Sequence, residues 1–128
     1  LSIGTANDKF VVKVNPGTTL PAVGGNGGGP FNSLCPADQV VVGFYGRSGS
    51  EVDQIGFRCA PFVISENAVG YSISLGAATN LPAHGGGGGA PFPQTNCPAN
   101  QVANRKYGRS GSRIDRFGLV CGAYGLSF

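Results

Sequence analysis

Helical periodicity is what this sequence has least of. No stretch repeats its apolar residues at the 3.6-residue spacing for long enough to make an amphipathic helix. Twenty-three glycines and nine prolines weigh the same way, because glycine raises the entropy cost of ordering the backbone and proline removes an amide donor. No apolar run is long enough for a membrane-spanning helix, and no signal peptide is present. The chain opens at Leu1 rather than methionine, which suits a processed secreted protein as well as a trimmed chain. Histidine occurs once, as His84, and no two cysteines form a close CxxC pair, so the sequence offers no metal site and calls for no cofactor. It also offers no nucleophile paired with a base, and triad chemistry has nothing to rest on.

The apolar residues that remain favour strands. KFVVKV (9–14), VDQIGF (52–57) and YSISL (71–75) alternate with the period of two expected of half-buried strands. The fold class expected is therefore all-β, and a chain of 128 residues suits one domain built from two similar halves.

Two halves are visible because the chain writes one text twice. GGNGGGPF (24–31) leads to GFYGRSGSEVDQIGFRC (43–59), and GGGGGAPF (85–92) leads to RKYGRSGSRIDRFGLVC (105–121). The weaker N-terminal parts also align, with Ile3, Phe10, Val12 and Val14 opposite Ile64, Tyr71, Ile73 and Leu75. The repeat unit is about 61 residues, placing the copies at 1–61 and 62–123 with a short tail near 124–128. The charges of the first copy cancel, and the whole net +3 lies in the second, where Arg105, Lys106, Arg109, Arg113 and Arg116 outnumber Glu66 and Asp115.

Four cysteines sit at equivalent places. The pairing simplest for a duplication closes each unit on itself, Cys35 with Cys59 and Cys97 with Cys121, although four cysteines permit three connectivities. Disulfides would imply a secreted, extracellular protein, whereas free thiols would return it to the cytosol. Within a unit, CPADQ and CPANQ read as turns. GRSGS reads as the tip of a hairpin between 39–46 and 52–58, and again between 101–108 and 114–120. The glycine runs leave backbone uncovered, so that a ligand or another strand can approach it closely. Asp53 and Asp115 follow the tips; each either caps its own turn or points at a ligand.

These motifs resemble the jacalin-related lectins. GFYGRSGSEVDQIG is similar to that family's C-terminal Greek-key segment, and GGNGGGPF to its N-terminal glycine loop. The resemblance implies a β-prism I-like assembly of Greek-key antiparallel sheets, here with internal duplication; another small pseudo-twofold Greek-key fold is the alternative. It also implies a sugar site between a glycine loop and a G-x-x-x-D loop. Carried over, the carboxylates of Asp53 and Asp115 would accept from sugar hydroxyls, while Ser50, Glu51, Ser112 and Arg113 would offer mainly backbone amides, as would Gly28 and Gly89. Such a lectin would have two sites per chain, need no metal, and gain avidity on clustered mono- or oligosaccharides and glycoconjugates.

Divergence between the copies carries its own expectations. Val42, Gly43 and Phe44 become Asn104, Arg105 and Lys106, so 39–46 should be more buried than 101–108, or face a partner as in a homodimer. Arg47 and Arg109, kept in both, are expected to support a loop by pairing with an aspartate or a carbonyl. His84 either lines one site or is a bystander. Glu51 and Asp53 could form a carboxylate pair, but Arg113 replaces Glu51 in the second copy, so binding is expected rather than catalysis. The competing functions are a disulfide-braced structural or matrix protein without a sugar site and a binder of anionic polymers through 105–116. Nucleic acid is disfavoured because only Tyr107 interleaves with the cations, and membrane insertion is not expected.

Overall fold

The computed structural model describes residues 2–6, 9–14, 28–29, 31–68, 70–111 and 113–125, the strands at 2–6 and 9–13 by backbone alone. The links and glycines at 15–27, Ser112 and residues 126–128 lie outside the described residues. The fold is all-β, with antiparallel sheets and no helix among the described residues. Ten strands run in chain order: β1 (Ser2–Ala6), β2 (Lys9–Lys13), β3 (Gln39–Ser48), β4 (Val52–Asn67), β5 (Gly70–Leu75), β6 (Thr79–Asn80), β7 (His84–Gly85), β8 (Ala90–Asn96), β9 (Gln101–Ser110) and β10 (Ile114–Ala123).

The duplication reappears as repeated register. β1 and β2 pair Ile3 with Val12 and Thr5 with Phe10, while the second half of β4 and β5 pair the equivalent Ile64 with Ile73 and Glu66 with Tyr71. In the GRSGS hairpins, Tyr45 faces Gly56 and Arg47 faces Gln54 across β3–β4, as Tyr107 faces Gly118 and Arg109 faces Arg116 across β9–β10. Register shifts fall at matching places, just after Val41 and beside Cys121, and again next to the tips. Each tyrosine ring lies on its cross-strand glycine: a Cβ on Gly56 would meet the Tyr45 ring at 2.5 Å, and one on Gly118 would collide with Tyr107. The CPADQ and CPANQ turns also repeat. Asp38 and Asn100 take φ of 61° and 62°, and the Gln39 and Gln101 amides donate to Pro36 and Pro98 at 3.1 Å. A short polar side chain is tolerated in this left-handed conformation.

The surroundings of the two hairpins differ. β4 carries β6 and β7 on its other edge, and β3 carries β8, giving the order β8-β3-β4-β7. Three successive neighbours with a fourth strand returned beside the first make a Greek key. β8, with Pro91 and Pro93, occupies the outer position, where a missing amide donor is tolerated. β9 and β10 pair only with each other among the described residues.

Among the residues whose burial is described, the buried apolar side chains are Val42, Phe44, Ile55, Cys59 and Ala60. Phe44 meets Phe92 of β8 and Phe117 of β10 edge-on, with centroids 5.7 and 5.3 Å apart, and Phe117 also meets Phe57. Phe117 thus packs the second hairpin on the first. Val42 is 8% and Phe44 9% exposed, so their burial is internal and needs no partner. The equivalent Asn104 and Lys106 are exposed; the strand at 39–48 is the more buried one, with Phe44 packed between Phe92 of β8 and Phe117 of β10.

Covalent links add to this packing. Cys35 is bonded to Cys59 and Cys97 to Cys121, each with Cα atoms 5.7 Å apart. Cys59 is fully buried, and Cys97 donates its amide to the Val42 carbonyl at 2.7 Å, so the second bond ties β10 to the edge of the first sheet. No described helix is long and apolar enough to cross a membrane. Replacing Cys35 and Cys59 together by serine is expected to cost about 2–4 kcal/mol by loss of loop closure in the unfolded chain, read from the urea midpoint.

Candidate functional site

The site is built where β7 crosses to β8. β7 pairs with β4 at Gln54 and Ile55, and β8 begins opposite Ser48 of β3. The four residues between, Gly86 to Gly89, therefore span the tip of the β3–β4 hairpin from one edge to the other. Close approach explains the glycines at three positions. A side chain on Gly85, with φ of 129°, would run into the Asp53 carbonyl and lie 2.8 Å from Gln54 Cα. A Cβ on Gly88 would sit 2.7 Å from Asp53 Oδ1, and one on Gly89, with φ of 63°, 2.5 Å from Asp53 Oδ2 and from the Ser48 carbonyl carbon. Gly86 and Gly87 differ, for nothing lies within 4 Å of where their Cβ atoms would be.

Two sets of hydrogen bonds hold this strap. Gly86 donates its amide to the Asp53 carbonyl at 2.8 Å. Arg47 donates from Nε to the Gly88 carbonyl at 3.1 Å and from Nη2 to the Gly89 carbonyl at 2.9 Å. Nearby, the Tyr45 hydroxyl donates to the Leu81 carbonyl, and Arg58 donates to the side-chain oxygens of Asn80 and Asn96 at 2.7 and 2.6 Å. The loop-supporting role expected of Arg47 is met through carbonyls, and those carbonyls belong to the other repeat unit.

Asp53 owes its direction to a bulge. Ser48 pairs with Val52 and Arg47 with Gln54, so Asp53 is the extra residue between them. A bulge re-aims a side chain that regular pleating would place differently. Here it sets a half-buried carboxylate against the glycine strap, with no hydrogen-bond partner for its oxygens among the described residues. The tip itself is closed by the Gly49 amide donating to the Glu51 carbonyl at 3.0 Å, with Ser50 exposed.

No family model, curated protein or solved structure matches this chain. Its site must be read from its own residues. Asp53, Ser50, Glu51 and Gly89 come together around one tip, so the glycine run that meets Asp53 is the one at 85–89 in the second copy. Gly28 does not join them: it keeps the left-handed φ of its counterpart Gly89, at 72°, but nothing lies within 4 Å of its would-be Cβ. The tip of the second hairpin has the same closure, Gly111 donating to the Arg113 carbonyl at 2.9 Å, yet Asp115 and Arg109 meet no described partner, and Ser112 lies outside the described residues.

Glu51 and Arg113 are equivalent positions of opposite charge, and they bond to each other, Nη1 to Oε1 at 2.8 Å. The two tips therefore lie side by side. His84 stacks on Phe31, with centroids 4.6 Å apart and planes inclined at 16°, so it packs the start of the strap rather than pointing at Asp53. A recess of about 570 Å³ lies elsewhere, between β8 and the second hairpin, among Phe44, Thr95, Asn96, Gln101, Tyr107 and Leu119. Among the described residues no cluster of three or more His, Cys, Asp and Glu side chains could hold a metal ion.

Two expectations follow. Gly87→Ala should leave thermal stability within a degree or two of the native protein's, whereas Gly88→Ala should lower it and displace the Asp53 carboxylate; side-chain NMR of Asp53 would read that displacement. The Glu51–Arg113 pair, with Arg113 73% exposed, should show a coupling below about 1 kcal/mol in a double-mutant cycle, and less at high salt.

Proposed function

We propose that the protein is a carbohydrate-binding protein of the jacalin-related type, secreted, that takes a neutral sugar at Asp53 and the Gly86–Gly89 strap. The observation that carries this reading is the Asp53 carboxylate, which is partnerless among the described residues and held against a strap of bare backbone. Vicinal sugar hydroxyls both donate and accept, so they need an anionic acceptor beside fixed donors. Asp53 is the acceptor, and the amides of Gly87 to Gly89 and of Ser50 and Glu51 are the donors, those of Gly86 and Gly49 being spent within the loops. Nothing lies within 4 Å of where a Cβ on Gly86 or Gly87 would be, so a ligand can reach their backbone. Arg47, by fixing the strap's carbonyls, lowers the cost of ordering the loop on binding.

Binding is favoured over catalysis by what Glu51 does. A glycosidase needs two carboxyls free to act across one bond, and the carboxylate of Glu51 is engaged by Arg113. The two disulfides fit an oxidising, extracellular setting. Greek-key order around the tip and the repeated hairpin fit a β-prism-like assembly.

The test is glycan-array and titration-calorimetry binding of neutral sugars. Asp53→Ala is expected to weaken binding at least a hundredfold with the fold intact, and Asp115→Ala to leave most of it. Undiminished binding by Asp53→Ala would sink the site.

A further inference from the structure

The second hairpin keeps the donors of the first, but no described residue accepts from them. In the first hairpin, Tyr45 and Arg47 are spent on the carbonyls of Leu81, Gly88 and Gly89. Their counterparts Tyr107 and Arg109 are exposed and have no described partner, Tyr107 being 57% exposed. Around them the copies diverge in one direction. Gly43, pressed by Asn96 and Thr95 of β8, has become Arg105, and Gln54 has become Arg116.

Register places these residues on one face. Arg105, Tyr107 and Arg109 alternate along β9, and Arg109 stands directly opposite Arg116, with Tyr107 opposite Gly118 and Arg105 opposite Val120. Side chains two apart on a strand share a face and lie about 6.6 Å apart along it. Charge on an open strand edge guards against edge-to-edge pairing, and that alone would account for Arg105. It does not account for two arginines directly opposed across the ladder, an arrangement that destabilises a sheet by repulsion. The hairpin's one carboxylate is Asp115, and the adjacent Arg113 is already held by Glu51.

This face borders the 570 Å³ recess. Tyr107 and Val120 belong to both, and Thr95, Asn96 and Gln101 line the recess without any charged group. A largely apolar, uncharged hollow with a few amide and hydroxyl groups, edged by an exposed aromatic ring, suits the apolar face of a sugar ring. A row of guanidinium groups beside it suits sulfate or carboxylate, which the planar fork can hold bidentately.

We propose that the outer face of β9–β10, Arg105, Tyr107, Arg109 and Arg116, binds a sulfated polysaccharide, with a sugar ring seated at the Tyr107 rim of the recess. A single aromatic is too few for the successive base stacking that single-stranded nucleic acid uses. Two disulfides also fit the compartment in which sulfated glycans are found. This surface is separate from the Asp53 site and does not depend on it.

The experiment is surface plasmon resonance of the full chain with a heparin octasaccharide, its fully desulfated form, and a single-stranded oligo-dT of equal charge, at 50–200 mM NaCl. The native chain should bind the sulfated octasaccharide, with log K falling with log salt at a slope of about −2 to −3, as expected when some three cations are engaged. The triple variant Arg105→Ala, Arg109→Ala, Arg116→Ala should bind at least fiftyfold more weakly, with circular dichroism unchanged, while Asp53→Ala keeps native affinity for it. Equal binding by native protein and triple variant overturns the proposal, as does binding of the oligo-dT or of the desulfated octasaccharide as tight as that of the sulfated one. If the triple variant fails to fold, Arg109→Gln alone serves, with at least a fivefold loss expected and no loss overturning it.

Discussion

The rest of this structure depends on one crossing. A hairpin whose two edges are both covered forces the covering chain to pass from one edge to the other, and the shortest path lies over the hairpin tip. At the tip the chain meets the Asp53 bulge and the Ser48 carbonyl at distances that leave no room for a Cβ on Gly85, Gly88 or Gly89. Glycine is therefore a steric requirement of the crossing at those positions. Arg47 then fixes the strap by its carbonyls, and the bulge turns a carboxylate toward it. Fold and site share the same atoms: what closes the Greek key also makes the open, backbone-lined surface on which a hydroxyl-rich ligand could be held.

Coverage also explains why two nearly identical hairpins carry different residues. Where β8 lies against β3, Val42 and Phe44 are apolar and Gly43 has room only for a hydrogen atom. In β9, which pairs with no described strand other than β10, the same positions hold asparagine, arginine and lysine. The second hairpin is anchored instead by one ring, Phe117 between Phe44 and Phe57, by the Cys97–Cys121 bond, and by the Glu51–Arg113 contact at the tips. A lone two-stranded hairpin is marginal in water, and the covalent tie limits the conformations available to it when unfolded.

Much of the local structure was legible in the sequence. Alternation gave the long strands, the glycine–serine tips gave the hairpins, and the matched cysteines gave the pairing, because each of these depends on residues near in sequence. The strands β6, β7 and β8 were not legible. β6 and β7 are two residues each, and β8 holds two prolines, so none carries a period-2 signal; they are strands only because β3 and β4 present edges to pair with. The bulge at Asp53 was likewise hidden, since nothing in Val52-Asp53-Gln54 says which residue will be the unpaired one.

The sequence by itself determined that this is an all-β chain written twice, with a hairpin and a matched pair of cysteines in each copy. Those features follow from φ/ψ preference, periodicity and loop closure, which act along the chain. Only the tertiary structure decided that the glycine run of the second copy serves the aspartate of the first, that Glu51 answers Arg113, and that one hairpin is covered while the other lies bare among the described residues. These outcomes depend on which surfaces meet in space, and two copies with almost the same local preferences cannot encode that difference locally.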